Sequence, residues 1–520
     1  MRKRTKETKE LHDKNFKKYG LDMNVFVSLT TAVLVLLFVG FVLLFPDYAT
    51  TAINDIKQKV MTSYNWLFVL VINLTLVFLL FLGISKYGKT RIGGEYQKKE
   101  FSNFSWYAML FSAGIGIGIF FWGIAEPIYH LSLPEPLQSG SVYDPFKIMY
   151  LHWGIHAWAV YGLVAIVLGY FTYNKGLPMS IRSVFYPILG DKIFGIIGDI
   201  IDTVSVLAVL FGLSTSLGLG AMQVNAGFNY IFGTPISPII QLVIIVVITI
   251  FATMSVVSGL SKGIKILSEI NIRLSSLLLL VILVIGPTGY ILKTFVGSVT
   301  VYFKDFVNMG LYTASSADSI SWQGAWTIFY WAWWISWSPF VGIFIAKISK
   351  GRTIRELVFG VIVLPSFIIF FAMTVLGATG FYLNETMNGV IVNAVNDNLA
   401  TSLFVVIENV VSSDIVSMIL ALISLIAIVL FFVTSSDSGS LVVDSLTSGG
   451  RDHTPKGQRI FWAAMEGLIA AAVLLLGGAQ GLNALQTVVI IVGLPFSLIF
   501  ILMIYSLIVE LRRENKKSSQ

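Results

Sequence analysis

The sequence predicts an all-α integral membrane protein with twelve transmembrane helices. Three observations support this prediction: an apolar composition, recurring apolar runs of membrane length, and an uneven distribution of basic residues. Hydrophobic residues make up 56% of the 520 residues, charged residues only 12%, and the mean hydropathy is +0.82. Soluble domains average about 25% charged residues, so this composition excludes an ordinary soluble domain.

Twelve apolar runs are each long enough to cross a hydrocarbon core of about 30 Å, and they leave no room for a separate soluble domain. Several exceed the length that a perpendicular helix needs, which predicts tilt or extension beyond the bilayer. The runs lie near residues 24–45, 66–85, 105–125, 144–172, 197–229, 236–258, 272–296, 322–346, 356–382, 411–436, 460–478 and 484–510.

The basic residues give an independent prediction of topology, because Lys and Arg concentrate in short cytoplasmic loops. With the N-terminus inside, 30 of the 35 Lys and Arg residues fall in inside segments. We therefore predict a multi-pass protein of the cell membrane with both termini cytoplasmic. Residues 1–23 run directly into a full-length span, so no removable signal peptide is expected. Topology also explains the net charge of +7, and no nucleic-acid partner is expected.

Two local patterns suggest chemistry that their surroundings do not support. Residues 83–90, GISKYGKT, match a phosphate-loop pattern, but a membrane span precedes them where that motif needs a strand, so we expect a basic turn. His152 and His156 have helical i,i+4 spacing without a nearby carboxylate or third ligand. We expect a hydrogen-bonded interior pair there, with a metal or proton site as the alternative.

Catalysis is not predicted. The chain has no cysteine, which excludes disulfides, thiolate nucleophiles and cysteine metal sites. The few titratable groups near span ends, Glu126, Asp202 and Asp437, have no accompanying histidine or metal-ligand spacing. We therefore expect neither catalytic residues nor a cofactor.

The third span contains a stretch that weakens its own helix. In SAGIGIGIFFWGIAEP (112–127), glycines occupy every second position from 114 to 118. Unwound backbone at membrane depth is tolerated beside a cavity, where free amides bind an anionic group and free carbonyls a cation. A close helix–helix contact is the alternative.

Aromatic residues are concentrated in the eighth span. FYWAWWISWSPF (329–340) holds four of the chain's twelve tryptophans. One helical stripe comprises Trp326, Tyr330, Trp333, Trp337, Phe340 and Phe344, and Trp334 widens it. The stripe runs about 27 Å, so it must cross the hydrocarbon core, which an interfacial belt would not do. Packing within the bundle is the alternative.

The fourth span adds further rings in LHWGIHAWAVY (151–161), where Trp158 and Tyr161 share a face and Trp153 lies one to two turns earlier. Rings that converge from two helices can form a box for a cation that donates no hydrogen bonds, such as a quaternary ammonium. In the tenth span, FFVTSSDS (431–438) presents the hydroxyls of Thr434 and Ser435 at membrane depth. Such oxygens suit Na⁺, although they also form ordinary backbone bonds in membrane helices.

These segments resemble those of the betaine/carnitine/choline transporter family. WTIFYWAWWISWSPFVGIFIAKISKGRTIRE (326–356) is similar to that family's signature, and the AGIGIG…AEP and FFVTSSDS segments fall at the family's positions. The resemblance covers essentially the whole chain. It implies a LeuT-like fold with inverted five-helix repeats over 105–298 and 322–510, joined by an extracellular segment, 299–321. It also implies two extra helices within 24–104, tails at 1–23 and 511–520, and usually a homotrimer in membrane lipids.

The same resemblance implies the site residues. The ammonium box corresponds to Trp153, Trp158, Tyr161 and Trp334, with Trp333 and Trp337 along the pathway. Substrate would also meet the backbone of Ala113, Gly116 and Ile117, next to Gly118. A sodium ion would bind the carbonyls of Ser112, Ile115 and Phe431 and the hydroxyls of Thr434 and Ser435. Ile115 stands where betaine carriers often have Met, but only its carbonyl is required. A second sodium site would lie near Phe340 and the hydroxyls of Ser214, Thr215 and Ser216.

Comparison with different members of that family indicates the coupling ion and the substrate. Sodium-independent exchangers resemble the symporters but place a fixed arginine on the fifth span, and residues 203–231 contain no Lys or Arg. Choline-selective relatives tend to have Asp where this chain has Gly118. We therefore expect sodium symport of a quaternary-ammonium solute by alternating access, with glycine betaine first. Choline, carnitine or proline betaine carriage, exchange, and a transport-dead sensor on the same fold remain alternatives; a channel lacks the polar rings it would need.

Overall fold

The computed structural model describes residues 2–114, 118–258, 263–451, 454–477 and 481–518. Within these ranges the chain is built from α-helices joined by short turns. The first eleven are α1 (Arg2–Asp13), α2 (Val25–Leu44), α3 (Pro46–Ile84), α4 (Asn103–Gly114), α5 (Gly118–Tyr129), α6 (Asp144–Trp153), α7 (Ile155–Gly169), α8 (Tyr186–Leu189), α9 (Ile196–Phe232), α10 (Pro238–Ser258) and α11 (Gly263–Ile285). The others are α12 (Thr288–Lys304), α13 (Phe306–Leu311), α14 (Ala317–Gln323), α15 (Phe329–Ile348), α16 (Ile354–Thr386), α17 (Val390–Asn398), α18 (Ser402–Val410), α19 (Asp414–Thr447), α20 (Lys456–Gly477) and α21 (Gly481–Ser518).

Among the described residues, 12 helical segments are long and apolar enough to cross a membrane, which confirms the predicted class and number. Eleven of them coincide with predicted spans. The twelfth, Val390–Val410, was not predicted, because Asn396, Asp397 and Asn398 interrupt its apolar residues. The predicted third span corresponds to α4 and α5, and the residues between them, 115–117, lie outside the described chain.

Two other local predictions can be compared with the helices. The predicted seventh span, 272–296, is broken, because α11 ends at Ile285 and Pro287 precedes α12. Proline removes a helical hydrogen bond and disfavours helix in the residue before it. The basic turn predicted for 83–90 is confirmed: α3 ends at Ile84 and a 3₁₀ turn follows over Lys86–Lys89. A phosphate loop would require a strand before this turn, whereas the element before it is the helix α3.

The two aromatic spans occupy the interior of the bundle. The most apolar windows of the segments Asp144–Asn174 and Ala317–Ile348 are 94% buried, compared with 17% for Ile266–Ile285. α15 packs along α7. Gly342 permits this approach, because a Cβ there would lie 2.5 Å from the side chain of Val164. The aromatic stripe therefore faces protein along its length, and the interfacial-belt explanation does not apply.

The connection before α9 is fixed by a buried arginine. Arg182 donates to Asp202 through Nε at 2.5 Å and to Asp199 through Nη2 at 2.8 Å. Burial alone would lower the pKa of Arg182, but these two carboxylates outweigh it and raise the pKa above its ordinary value. Asp202 is thus the structural partner of a buried cation, in which removing one member is costly.

Candidate functional site

The fourth span is interrupted at Gly154, between its aromatic residues. α6 ends at Trp153, Gly154 adopts φ −99 and ψ −130, and α7 begins at Ile155. A Cβ at this position would lie 2.2 Å from the ring of Phe370 and 2.7 Å from the carbonyl oxygen of Tyr150. Only glycine fits this close approach. The break divides the span predicted at 144–172 into two helices and sets the direction from which Trp153 enters the site.

The four predicted box residues lie together. The ring centroids of Trp153 and Trp334 are 5.0 Å apart at an interplanar angle of 68°. Tyr161 lies 6.2 Å from Trp334 at 75°, and Trp158 lies 5.7 Å from Tyr161 at 84°. All four side chains are buried. Steeply inclined rings from α6, α7 and α15, with no cationic side chain between them in these contacts, make the kind of surface that attracts an organic cation.

The stripe on α15 continues from this box as predicted. Trp333 stacks on Trp334 at 5.0 Å and 12°, and Trp337 lies 6.2 Å from Trp333. Among the described residues, the hydroxyl of Tyr161 and the indole N–H of Trp337 are buried without a hydrogen-bond partner. Leaving such a group unpaired costs about 1–3 kcal/mol, so both are available to a bound ligand. Trp331 lies off this face, against His156.

A buried carboxylate, Glu126 on α5, is hydrogen-bonded to Trp153 of the box and to two residues beside the box. Its Oε2 accepts hydrogen bonds from Trp153 Nε1 at 2.7 Å and from the Tyr330 hydroxyl at 2.6 Å. Its Oε1 lies 2.6 Å from His152 Nδ1. The carbonyl of His152 in turn accepts from Trp334 Nε1 at 2.7 Å. One carboxylate therefore connects α5, α6 and α15 and fixes the orientation of Trp153 directly.

This network corrects two predictions. Glu126 does have histidine neighbours, because His130 Nε2 also lies 3.3 Å from its Oε1. His152 and His156 are not a hydrogen-bonded pair: His152 bonds Glu126 and Thr327, whereas His156 has no hydrogen-bond partner in the described chain and stacks on Phe306. The i,i+4 spacing of Glu126 and His130 was the available signal. The contact with His152 joins residues 26 apart, which local spacing does not reveal.

The glycine stretch lies only partly within the described chain. Ile115, Gly116 and Ile117 lie outside it, and Ser112 and Ala113 belong to the last turn of α4, where only the backbone is described. Gly118 begins α5, and a Cβ there would lie 2.1 Å from the Trp153 ring. A side chain at this position would therefore displace a ring of the box.

The predicted sodium ligands of the tenth span lie on α19, close to α5. The ring of Phe431 is 6.0 Å from that of Phe120, near the start of α5. The Thr434 hydroxyl lies 2.8 Å from the carbonyl oxygen of Leu430 and 3.2 Å from that of Phe431. Ser435 is half-buried beside it. The helix that carries these predicted ligands thus contacts α5 through the Phe431 ring.

The residues of the predicted second sodium site lie on neighbouring helices. Phe340 packs against Trp337 at 5.6 Å. α9 approaches Trp337 at Gly212, one turn before Thr215. The Thr215 hydroxyl donates to the carbonyl of Phe211 at 3.0 Å and reaches that of Leu485 at 3.5 Å. Ser214 likewise donates to backbone carbonyls, and Ser216 does so at 3.4 Å.

Removing the charge of Glu126 is predicted to loosen the box. Glu126→Gln keeps the volume but weakens the acceptor of Trp153 and Tyr330, and hydrogen bonds to charged groups contribute about 1.5–3 kcal/mol. We expect a lower thermal midpoint and altered near-ultraviolet circular dichroism of the tryptophans. Glu135→Gln removes the same charge from an exposed position and serves as the control. Equal behaviour of the two variants would contradict the role given to Glu126.

Comparisons with known proteins agree with this architecture. The family model described as BCCT, betaine/carnitine/choline family transporter, matches residues 26–516. The chain is 40% identical over 514 residues to glycine betaine transporter 1 of Vibrio parahaemolyticus, covering 96% of each chain. It is 42% identical over 485 residues to glycine betaine transporter OpuD of Bacillus subtilis, covering 91% of this chain and 92% of the relative.

A further relative has a broader name. The glycine betaine/proline/choline/ectoine transporter of Vibrio parahaemolyticus is 39% identical over 509 residues, covering 96% of this chain and 89% of the relative. The match to the family model and the similarity to these relatives extend over nearly the whole chain. The protein, a multi-pass membrane protein, therefore belongs to the betaine/carnitine/choline transporter family.

Proposed function

We propose that this protein imports a quaternary-ammonium compatible solute, glycine betaine in the first place, by sodium symport. The observation that carries the proposal is the convergence of Trp153, Trp158, Tyr161 and Trp334 at the break in the fourth span. A trimethylammonium group donates no hydrogen bonds, so carboxylates gain little from it, whereas aromatic faces attract it. The names of the relatives agree with this substrate class.

A zwitterionic substrate is favoured over a net cation. Choline carriers tend to have Asp at the position of Gly118. In this chain the Trp153 ring fills the space that a side chain at that position would need, so no carboxylate fits there. Glycine betaine carries its own carboxylate, which backbone groups of Ala113, Gly116 and Ile117 would bind in the proposed site. Choline or carnitine carriage is the alternative within the family, and the broader name of one relative keeps it open.

Sodium coupling is supported by the surroundings of α19. The Phe431 ring on α19 contacts the Phe120 ring on α5, Thr434 and Ser435 lie one turn further along α19, and residues 203–231 offer no Lys or Arg to replace the cation. In the proposed site the carbonyls of Ser112 and Ile115 complete the oxygen ligands. A second ion near Phe340 and Thr215 is part of the same proposal.

The proposed mechanism is alternating access on a LeuT-like fold. Sodium binding holds the glycine stretch of the third span against α19, the rings close on the ammonium, and two inverted repeats rock to open the site inward. Each charge that moves inward contributes about 2.3 kcal/mol per 100 mV of membrane potential. We place the protein in the cell membrane as a homotrimer among membrane lipids, with both termini cytoplasmic.

Replacing one ring of the box should weaken binding strongly. Desolvated cation–π contacts contribute about 2 kcal/mol per good ring, so Trp334→Leu should raise the Kd for glycine betaine by about 30-fold. Trp331→Leu is the matched control, since it removes the same kind of ring from the same helix at a position that packs against His156 and lies off the face of the box. Kd is measured by calorimetry on the monodisperse fraction. If the Trp334 variant keeps the wild-type Kd, the box is wrongly assigned.

Transport itself is tested in proteoliposomes loaded without sodium. We expect labelled glycine betaine to accumulate above its outside concentration only when sodium is outside. Thr434→Ala should raise the sodium concentration for half-maximal uptake by about 10-fold, because one oxygen ligand is lost. Ser424→Ala, which removes a buried hydroxyl bonded to backbone elsewhere on α19, is the control. Accumulation without sodium would contradict symport, and binding without any accumulation would favour a sensor.

A further inference from the structure

We propose that Glu126, His130 and His152 form a binding site for a divalent transition metal of the Zn²⁺ class, and that its occupation blocks transport. One ligand atom from each residue lies within 4.8 Å of the other two, and all three side chains are buried. The ligand atoms are Glu126 Oε1, His130 Nε2 and His152 Nδ1. This site is separate from the sodium sites proposed above.

The ligand set selects the metal. Two imidazole nitrogens and one carboxylate oxygen are a common protein ligand set for Zn²⁺ and leave a fourth position for water. Mg²⁺ and Ca²⁺ prefer oxygen ligands only and should bind this site poorly. The triad therefore predicts selectivity for nitrogen-preferring metals over the abundant hard cations.

The hydrogen bonds around His152 and Glu126 are those that a metal site needs, whereas Nδ1 of His130 has no partner among the described residues. Metal at His152 Nδ1 requires the ring proton on Nε2, and the Thr327 hydroxyl lies 3.0 Å from Nε2 and can accept it. The second oxygen of Glu126 is held by Trp153 and Tyr330, which orients the first oxygen toward the histidines. Such outer partners fix ligand orientation and raise metal affinity.

A cavity reaches one residue of the triad. It has a volume of about 460 Å³, and His130 forms part of its lining together with Asp144, Glu385 and Gln138. It lies at the end of the third and fourth spans that the basic-residue distribution places outside the cell. Asp144 is paired with Lys147 at 3.0 Å, so Glu385 is the lining carboxylate that can attract cations. His130 is the ligand that a metal entering by this route reaches first.

Occupation of the triad affects the substrate site through Glu126. The same carboxylate orients Trp153 and contacts Tyr330 on α15, so a metal would hold α5 and α6 together behind the box. Transport by alternating access requires helices at the box to move relative to one another. Inhibition therefore rests on the proposed transport function, whereas metal binding does not.

The experiment uses untagged full-length protein. Zn²⁺ binding is measured by isothermal calorimetry in detergent without sodium or betaine, and uptake is measured in proteoliposomes with Zn²⁺ outside. We expect one Zn²⁺ per chain, inhibition of uptake over the same concentration range, and no effect of equal Mg²⁺ or Ca²⁺. His130→Gln and, independently, His152→Gln should weaken binding and inhibition by about 10-fold or more. His156→Gln removes a buried histidine one turn from His152 and should change neither.

Each result decides the proposal. Absence of Zn²⁺ binding by the wild type, or equal binding by the wild type and His130→Gln, overturns the metal site. Zn²⁺ binding that depends on His130 but leaves uptake unaffected overturns the inhibitory role. Binding at the triad in a protein that accumulates no betaine supports the site and overturns the proposed function instead.

Discussion

The aromatic site depends on the hydrogen bonds that the buried carboxylate of Glu126 accepts. It accepts hydrogen bonds from side chains of α6 and α15 while it belongs to α5 itself. A carboxylate without water is stable only while such donors surround it. Any displacement of α15 relative to α5 and α6 must therefore break or exchange these bonds. Trp153 and Tyr330 are oriented by a polar network as well as by packing, which explains how these large rings keep one arrangement.

Irregular backbone supplies the other half of the site. The fourth span breaks at Gly154, directly after Trp153. Gly118, the first residue of α5, packs directly against the Trp153 ring. Regular helices would satisfy their backbone internally and offer nothing to a carboxylate or an ion. In the proposed cycle, the glycine stretch of the third span binds the carboxylate and the ion that the rings cannot bind, and the break at Gly154 provides a point about which helices can move.

Periodicity and composition predicted what depends on local sequence. The number of spans and the stripe from Trp326 to Phe340 follow from regular spacing, and the structure confirms both. The break at Gly154 was not predictable, since it depends on Phe370 of a distant helix. The Glu126 network was missed for the same reason, because its donors come from three separate segments. The family resemblance indicated which rings meet, whereas the contacts show what holds them there.

The central claim is that the box binds a positive charge and not merely an apolar shape. The most direct test compares the affinity of glycine betaine with that of its carbon isostere tert-butylacetate, in which carbon replaces the quaternary nitrogen. The two ligands share size, shape and carboxylate, so hydrophobic burial is matched. If cation–π attraction dominates, glycine betaine binds at least about 30-fold more tightly, from about 2 kcal/mol for one good ring. Equal affinity would show that the rings only enclose a methyl-covered surface, which would contradict this account.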